Sequence, residues 1–162
     1  MLKIYGEEVQ HNDATNREGH AAKVYFNALF GKGYTRDDDC SINAALDYGY
    51  AVLLSYFNRE IVSSGYLTQL GLFHNNKFNP FNLSSDLMEP YRAIIDKEVV
   101  LNNFEKFESD EKHQLLRVFD NYVNINNQIQ TVSNSIKIYV QSVFYALEEE
   151  NEELVKLYRY EL

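Results

Sequence analysis

The sequence predicts a mainly α-helical fold that contains one short β-hairpin. Two observations indicate this class: apolar residues recur every three or four positions over several long segments, and one short segment alternates around a turn. The chain has 162 residues, which suits one domain, and its hydrophobic content of 45% is enough for a sizeable core. We therefore expect a single multi-helix domain over residues 1–162.

The first predicted helix begins after Asn12 or Asp13, which can cap it, and ends at about Phe30, before Gly31. At about 100° per residue, its apolar side chains form one arc. The arc consists of Ala21, Ala22, Tyr25, Phe26, Ala28, Leu29 and Phe30. Glu18 points into the middle of this arc, so we expect a carboxylate on an otherwise apolar face.

The third predicted helix carries several acids and follows a connection that contains a histidine. Residues 66–83 are expected to form a structured connection that holds His74. Ser84 or Ser85 can cap the helix that follows, and Pro90 then falls near its first turn, at the cost of a hydrogen bond or a bend. One side of this helix carries Asp86, Glu89, Ala93 and Asp96, and the other carries Leu87, Tyr91, Ile94 and Ile95.

The remaining elements complete the helical pattern. A second helix is predicted from about Ser41 to Ser63, with capping acids at Asp37–Asp39 and a stop at Gly65. Further helices are predicted over residues 109–119 and 133–147, followed by an acidic amphipathic end over 151–160. The apolar alternation on both sides of Asn126-Asn127 predicts a hairpin within residues 121–132.

Charge and cysteine content restrict the setting. The net charge is −9, and residues 98–162 hold half of the 24 acids but only 6 of the 15 basic residues. An acidic total argues against a nucleic-acid partner unless local geometry or a divalent cation offsets it. A single cysteine, Cys40, allows no internal disulfide, and the sequence has neither an apolar leader nor a membrane-length apolar run. We expect a cytoplasmic protein without a membrane partner.

The acids and the histidine form a possible metal site. Asp86 and Glu89 are three residues apart on one helix, twelve and fifteen positions after His74. With Glu18, this set of oxygen and imidazole donors suits Mg²⁺ or Mn²⁺ and leaves coordination positions for water and phosphate. A metal bound to phosphate oxygens stabilises the charge that develops during phosphodiester cleavage or transfer.

Each of these residues also has a structural interpretation. Glu18 can form a salt bridge with Arg36 or Arg92. His74 can be a hydrogen-bonded structural histidine, and Asp86 can be a helix N-terminal acid without further function. If these interpretations hold, the chain is a catalytically idle helical interaction module with structural acids.

The following motifs occur in this order: Glu18 with Ala21, Ala22 and Tyr25; the run Asn43–Ala51; Gly65 with Leu70-Gly71-Leu72-Phe73-His74; and Asp86-Leu87-Met88-Glu89-Pro90-Tyr91-Arg92 with Asp96. Together they resemble the CRISPR-associated integrase, the catalytic subunit of spacer acquisition, in its type II form. The resemblance implies that Glu18, His74 and Glu89 bind Mg²⁺ or Mn²⁺. Many members have aspartate at the position of Glu89, and the glutamate side chain here is longer by one methylene. The resemblance further implies that Asp86 is an acid beside the metal site and that Arg92 is a basic residue that contacts DNA.

The resemblance also implies a reaction and partners. The 3′-hydroxyl of a protospacer DNA attacks a phosphodiester at the edge of a CRISPR repeat, and endonuclease activity is the related chemistry. The family acts as a homodimer with a small ferredoxin-like adaptation subunit. Its members carry a β-rich N-terminal domain, whereas about a dozen residues precede the helical region in this chain. We therefore expect an isolated C-terminal helical catalytic domain that is weakly active or inactive alone.

Overall fold

The computed structural model describes residues 16–159, which form helices and a small antiparallel sheet. In chain order the elements are α1 (Arg17–Phe30), α2 (Ser41–Ser63), α3 (Asn82–Asn102), α4 (Ser109–Leu116), β1 (Tyr122–Ile125), β2 (Gln128–Thr131), α5 (Val132–Glu148) and β3 (Tyr158–Arg159). Two 3-10 turns lie at Arg117–Asp120 and Glu152–Leu154. The mainly α class with one short hairpin is confirmed. Within the described range, every helix is too short or too polar to cross a membrane.

The core lies where α2 packs against α3 and α5. Phe57 of α2 and Tyr91 of α3 are completely buried, with their ring centres 5.4 Å apart in an edge-to-face arrangement. The Tyr91 hydroxyl donates to Ser135 Oγ of α5 at 3.1 Å, which satisfies a polar group inside the core. Gly49 allows α2 to approach α3 closely, since a Cβ at this position would overlap the Ile95 side chain. The core thus fixes α3 along its apolar side.

Two neighbouring asparagines make the predicted hairpin turn. Asn126 and Asn127 have left-handed backbones, with φ values of 55° and 60°, as a two-residue type I′ turn requires. The hairpin is confirmed, with Ile125 opposite Gln128 at the turn end. A third strand was not predicted: β3 pairs antiparallel with the other edge of β1 in place of an amphipathic end. The last predicted position, Tyr160, lies outside the described residues.

Helix α3 starts earlier than its sequence suggests. It begins at Asn82, so the prediction that Ser84 or Ser85 caps it is wrong. Ser84 is fully buried and donates to Asn58 of α2, which draws this segment into the helix. Pro90 consequently lies in the third turn, where its missing N–H leaves the carbonyl of Asp86 without the usual helical partner.

The other helix boundaries agree more closely. Helix α2 has the predicted bounds, but its N-cap residue is Cys40 and no side chain caps it, so Asp37–Asp39 do not have the expected role. The buried Asn43 instead donates to the carbonyl of Asp38 at 2.7 Å. Helix α1 ends at Phe30 as predicted but begins at Arg17, after the left-handed Asn16, which is later than predicted; the predicted caps, Asn12 and Asp13, lie outside the described residues.

Candidate functional site

The connection between α2 and α3 is a polar-anchored loop with an apolar exterior. At its base, the buried Thr68 donates to the carbonyl of Pro80 at 2.8 Å. The buried Asn82 side chain donates to the carbonyl of Asn76 at 2.9 Å, which ties the loop to the start of α3. The large apolar side chains that are more than half exposed here are Leu67, Leu70, Leu72, Phe73 and Phe78. Backbone and amide hydrogen bonds therefore give this loop its shape.

Asp86 binds the segment of the loop that contains the histidine. Its Oδ2 accepts the backbone N–H groups of Leu72 at 2.6 Å and Phe73 at 3.0 Å. Its Oδ1 accepts the N–H of His74 at 3.1 Å and lies 2.5 Å from Nδ1 of the same residue. The Asp86 side chain is only 7% exposed, whereas that of His74 is 43% exposed. We refer to this set of contacts as the Asp86 clamp.

The Asp86 clamp favours an ionised carboxylate. Burial opposes the charge, but the hydrogen bonds from Phe73, His74 and Leu72 hold the pKa of Asp86 below its ordinary value. Gly71 is needed for this arrangement, because a Cβ there would overlap the His74 carbonyl oxygen and lie 2.8 Å from Asp86 Oδ2. Both oxygens of Asp86 are thus already in use, so its position is that of a residue that orients His74.

Glu89 lies one helical turn beyond Asp86 and is paired with Arg92. Glu89 Oε1 is 3.0 Å from a terminal nitrogen of Arg92, an i, i+3 pair on the surface of α3. Burial raises the pKa of Glu89, while Arg92 and His74 act in the opposite direction. His74 and Glu89 are therefore within electrostatic range of each other. The Arg92 guanidinium also lies over the Tyr50 ring at 4.8 Å, and its buried Nε has no hydrogen-bond partner among the described residues.

Glu18 lies in the first turn of α1 and is exposed, so the expected burial on an apolar face is wrong. No residue of α1 is buried, because the helix lies on the surface of the domain and its apolar arc is only partly covered. Of the two arginines considered as its partners, Arg36 pairs with Asp47 and Arg92 pairs with Glu89. The roles of Glu18, His74 and Glu89 as ligands stay predictions.

A cavity of about 450 Å³ separates α1 from α3. It is lined by Ala21, Ala22, Tyr25, Phe26, Tyr50, Glu89, Arg92, Ala93 and Asp96. At its floor the Tyr25 hydroxyl donates to Asp96 Oδ2 at 2.8 Å, and Tyr50 donates to the other oxygen. Sequence reasoning did not assign this role to Asp96, although the helical wheel placed it on the same side as Asp86 and Glu89.

The donor types fit a hard divalent cation, but the side chains are not gathered around one point. In residues 16–159 no three His, Cys, Asp or Glu side chains lie close enough together to hold a metal ion as they stand. The chemistry of these side chains still fits a divalent metal ion, because Asp86 binds Nδ1 of His74 and leaves Nε2 as the atom that can bind the metal. Carboxylates such as Glu18 and Glu89 are suitable oxygen ligands for magnesium or manganese.

Comparison with known proteins gives one family. The family model described as CRISPR associated protein Cas1 matches residues 7–117. A protein named CRISPR-associated endonuclease Cas1 from Neisseria meningitidis serogroup C (strain 8013) is 46% identical over 99 residues, which is 61% of this chain and 33% of the relative. The chain thus spans about a third of the length of this relative.

Solved structures share the fold at low sequence identity. A casposase bound to its integration product has a TM-score of 0.72 and 20% identity, over 87% of this chain and 51% of that one. A component of a Cas6-RT-Cas1–Cas2 complex has a TM-score of 0.75 and 18% identity, over 99% of this chain and 21% of that one. At these identities the likeness extends to the arrangement of helices and sheet.

Proposed function

Because the chain belongs to the CRISPR-associated Cas1 family, we propose that it is the helical catalytic part of a metal-dependent DNA integrase and endonuclease of CRISPR adaptation. In the proposed reaction, the 3′-hydroxyl of a protospacer attacks a phosphodiester at the edge of a CRISPR repeat. One phosphate ester forms while another breaks, so the strand is joined by transesterification. The Neisseria relative, named an endonuclease, supports the related cleavage chemistry.

The main support is the way His74 is held. The Asp86 clamp fixes both the backbone and the ring of His74 and leaves Nε2 available, and Glu89 lies one helical turn beyond Asp86 on α3. A carboxylate that orients an imidazole in this way is typical of metal-binding histidines. We propose Glu18, His74 and Glu89 as the ligands of magnesium or manganese. When bound, such an ion neutralises phosphate oxygens and stabilises the charge of the displacement.

The local charge of the loop is compatible with DNA, despite the acidic total. Residues 64–81 contain no Asp or Glu, and they include His74 and Lys77. Arg92 uses one terminal nitrogen on Glu89, which leaves further N–H donors for a DNA phosphate. We propose that DNA approaches along this loop, with Arg92 as a phosphate contact.

The proposed partners follow from the same family. The casposase of similar fold is bound to its integration product, and another similar chain is part of a complex with Cas2. We propose protospacer and CRISPR-repeat DNA as substrates, a small ferredoxin-like adaptation subunit as a partner, and a homodimer in the full-length protein. This chain spans about a third of its Neisseria relative, and these interactions are proposed for the whole protein.

Strand joining is the direct test of the proposed function. The chain is extended with the β-rich domain of the family, the small subunit is added, and joining of a 3′-hydroxyl DNA to a repeat-bearing target is measured. We expect Glu18→Ala, His74→Ala and Glu89→Ala each to reduce joining to background. His113→Ala, which removes an exposed histidine on α4, is the matched control for His74 and is expected to retain joining. Intact joining in all three ligand variants would refute the catalytic role.

A second candidate is a catalytically idle interaction module. It is favoured by the separation of the acidic and histidine side chains in the described part of the chain, where no three gather as a metal site. Manganese soaked into crystals distinguishes the two functions. Anomalous density between Glu18, His74 and Glu89 supports the enzyme, and density elsewhere or none supports the idle module.

A further inference from the structure

A buried carboxylate joins three helices at the floor of the cavity between α1 and α3. Asp96 of α3 is only 3% exposed. It accepts one hydrogen bond from Tyr25 of α1, at 2.8 Å, and one from Tyr50 of α2. Neither the proposed metal ligands nor the DNA contact includes these residues. Their contacts therefore need a separate explanation.

The position of Asp96 is unfavourable for a charge, and its partners compensate for this. Burial raises the pKa of Asp96, while the hydroxyls of Tyr50 and Tyr25 and the guanidinium groups of Arg92 and Arg36 favour the ionised form. Charged hydrogen bonds away from water are stronger than those on the surface. The bonds to Asp96 are thus well suited to hold helices in a fixed relation.

The spacing of these residues matches that of the proposed ligands. Tyr25 follows Glu18 by seven residues, and Asp96 follows Glu89 by seven residues. At about 1.5 Å per residue, each pair spans about 10 Å along its helix. Both helices run along the cavity, which is lined on α1 between Ala21 and Phe26 and on α3 between Glu89 and Asp96. Glu18 and Glu89 therefore lie equally far along their helices from the bond.

Helix α1 lies against the core only through partly buried side chains. None of its residues is buried. Its aromatic side chains Phe26 and Phe30 contact Tyr34, with ring centres 5.9 Å and 4.8 Å apart, but Tyr34 lies only a few residues after the helix. These side chains also pack against the core, and Tyr34 donates to Asn43 of α2, so they hold the C-terminal part of α1 to the core and to α2. The bond from Tyr25 instead attaches α1 to α3.

We propose that Asp96 is a positioning residue that, through Tyr25, holds α1 against α3 and so sets the position of Glu18 relative to Glu89. This role rests on the proposed function, because it concerns the assembly of the metal-binding residues. Asp96 itself contacts neither the metal nor DNA. Its effect on the site is transmitted by the placement of Glu18.

Two conservative variants separate positioning from general stability. Tyr25→Phe and Tyr50→Phe each remove one hydroxyl, keep the ring, and leave Asp96 with one donor fewer. Only Tyr25→Phe removes the bond from α1 to α3, since Tyr50 lies on α2, which is held by the core through buried residues such as Phe57. We expect α1 amides to exchange about tenfold faster in Tyr25→Phe than in Tyr50→Phe, measured without metal.

Manganese affinity, measured by calorimetry on the same chain, is the second measurement. We expect affinity to fall about tenfold in Tyr25→Phe and to stay within about twofold in Tyr50→Phe, with similar melting temperatures for the two variants. Equal α1 exchange in the two variants, or equal manganese affinity, would overturn the positioning role. If the unsubstituted chain binds no manganese, the proposed function fails, and the role of Asp96 fails with it.

Discussion

Replacing Asp86 with asparagine is the sharpest test of the loop architecture. The substitution keeps the size of the side chain but exchanges one acceptor oxygen for an NH₂ group. Two donors converge on each Asp86 oxygen: Leu72 and Phe73 on Oδ2, and the backbone and ring of His74 on Oδ1. With the NH₂ group in place of Oδ2, Leu72 and Phe73 lose their acceptor; with it in place of Oδ1, the His74 N–H loses its acceptor and the ring Nδ1 has to accept rather than donate.

The size of the effect follows from this count. A hydrogen bond to a charged group contributes about 1.5–3 kcal/mol, so two lost bonds set an upper bound of about 3–6 kcal/mol. Leu72 and Phe73 are exposed residues, so water reaches this segment once it is loosened and recovers part of this energy. We expect Asp86→Asn to lower the free energy of loop opening by about 1–3 kcal/mol.

Amide hydrogen exchange measures this opening directly. The amides of Leu72, Phe73 and His74 are expected to exchange about 10–100-fold faster in Asp86→Asn, while amides of the α2–α3 core are unchanged. Asp37→Asn, at an exposed turn, is the matched control and should leave the exchange of the loop unaltered. Protection of these three amides equal to that of the unsubstituted chain would refute the clamp.

The stabilising effect of Asp86 also depends on pH. Its hydrogen bonds hold the pKa of Asp86 below the ordinary value of 3.8. Because the pKa is lower in the folded state, the ionised carboxylate stabilises the fold at a pH above the ordinary pKa. This contribution is lost as the pH falls through the pKa of the folded state. The difference in exchange between Asp86→Asn and the unsubstituted chain should therefore shrink below a pH of about 4. An unchanged difference at pH 3 would contradict this account.

Three further substitutions test other parts of the structure. Burial raises the pKa of Glu89, so ionising this side chain at a pH above its ordinary pKa costs folding stability. As the pH rises from about 4 to 7, the melting temperature of Glu89→Gln should therefore increase relative to that of the unsubstituted chain. A difference in melting temperature that does not change with pH would contradict this. Gly49→Ala places a Cβ against Ile95 and should cost about 1–3 kcal/mol in urea unfolding, whereas an unchanged midpoint would mean that α2 and α3 are further apart. Asn127→Val forces a β-branched residue into a left-handed backbone and should cost about 1–2 kcal/mol, with Asn127→Gly as the matched control; equal stability would contradict the type I′ turn.

The periodicity of the sequence predicted elements well where the signal is local. Helix α2 has the predicted bounds of Ser41 and Ser63, and the two-asparagine turn gave the hairpin, because apolar spacing and turn residues depend on neighbours in sequence. The start of α3 was missed because Ser84 is drawn into the helix by Asn58, which is 26 positions earlier. Strand β3 has only two residues, too few for a periodic signal.

The candidate site was only partly predictable for the same reason. A helical wheel showed that Asp86 and Glu89 share one side of their helix. It cannot show whether another element covers a helix face, so the prediction that Glu18 is buried was wrong. Asp96 receives its hydrogen bonds from residues 71 and 46 positions earlier. No local pattern relates such distant donors to one carboxylate.

The loop that carries His74 also has a consequence for how this protein can vary. Its backbone is fixed by Asp86, Thr68 and Asn82, while Phe73 and Phe78 point away from the core and are 60% and 83% exposed. Exchanging such outward side chains costs little folding energy, provided that Gly71 is kept. Natural or laboratory selection can therefore change what this surface touches without disturbing the histidine at its centre.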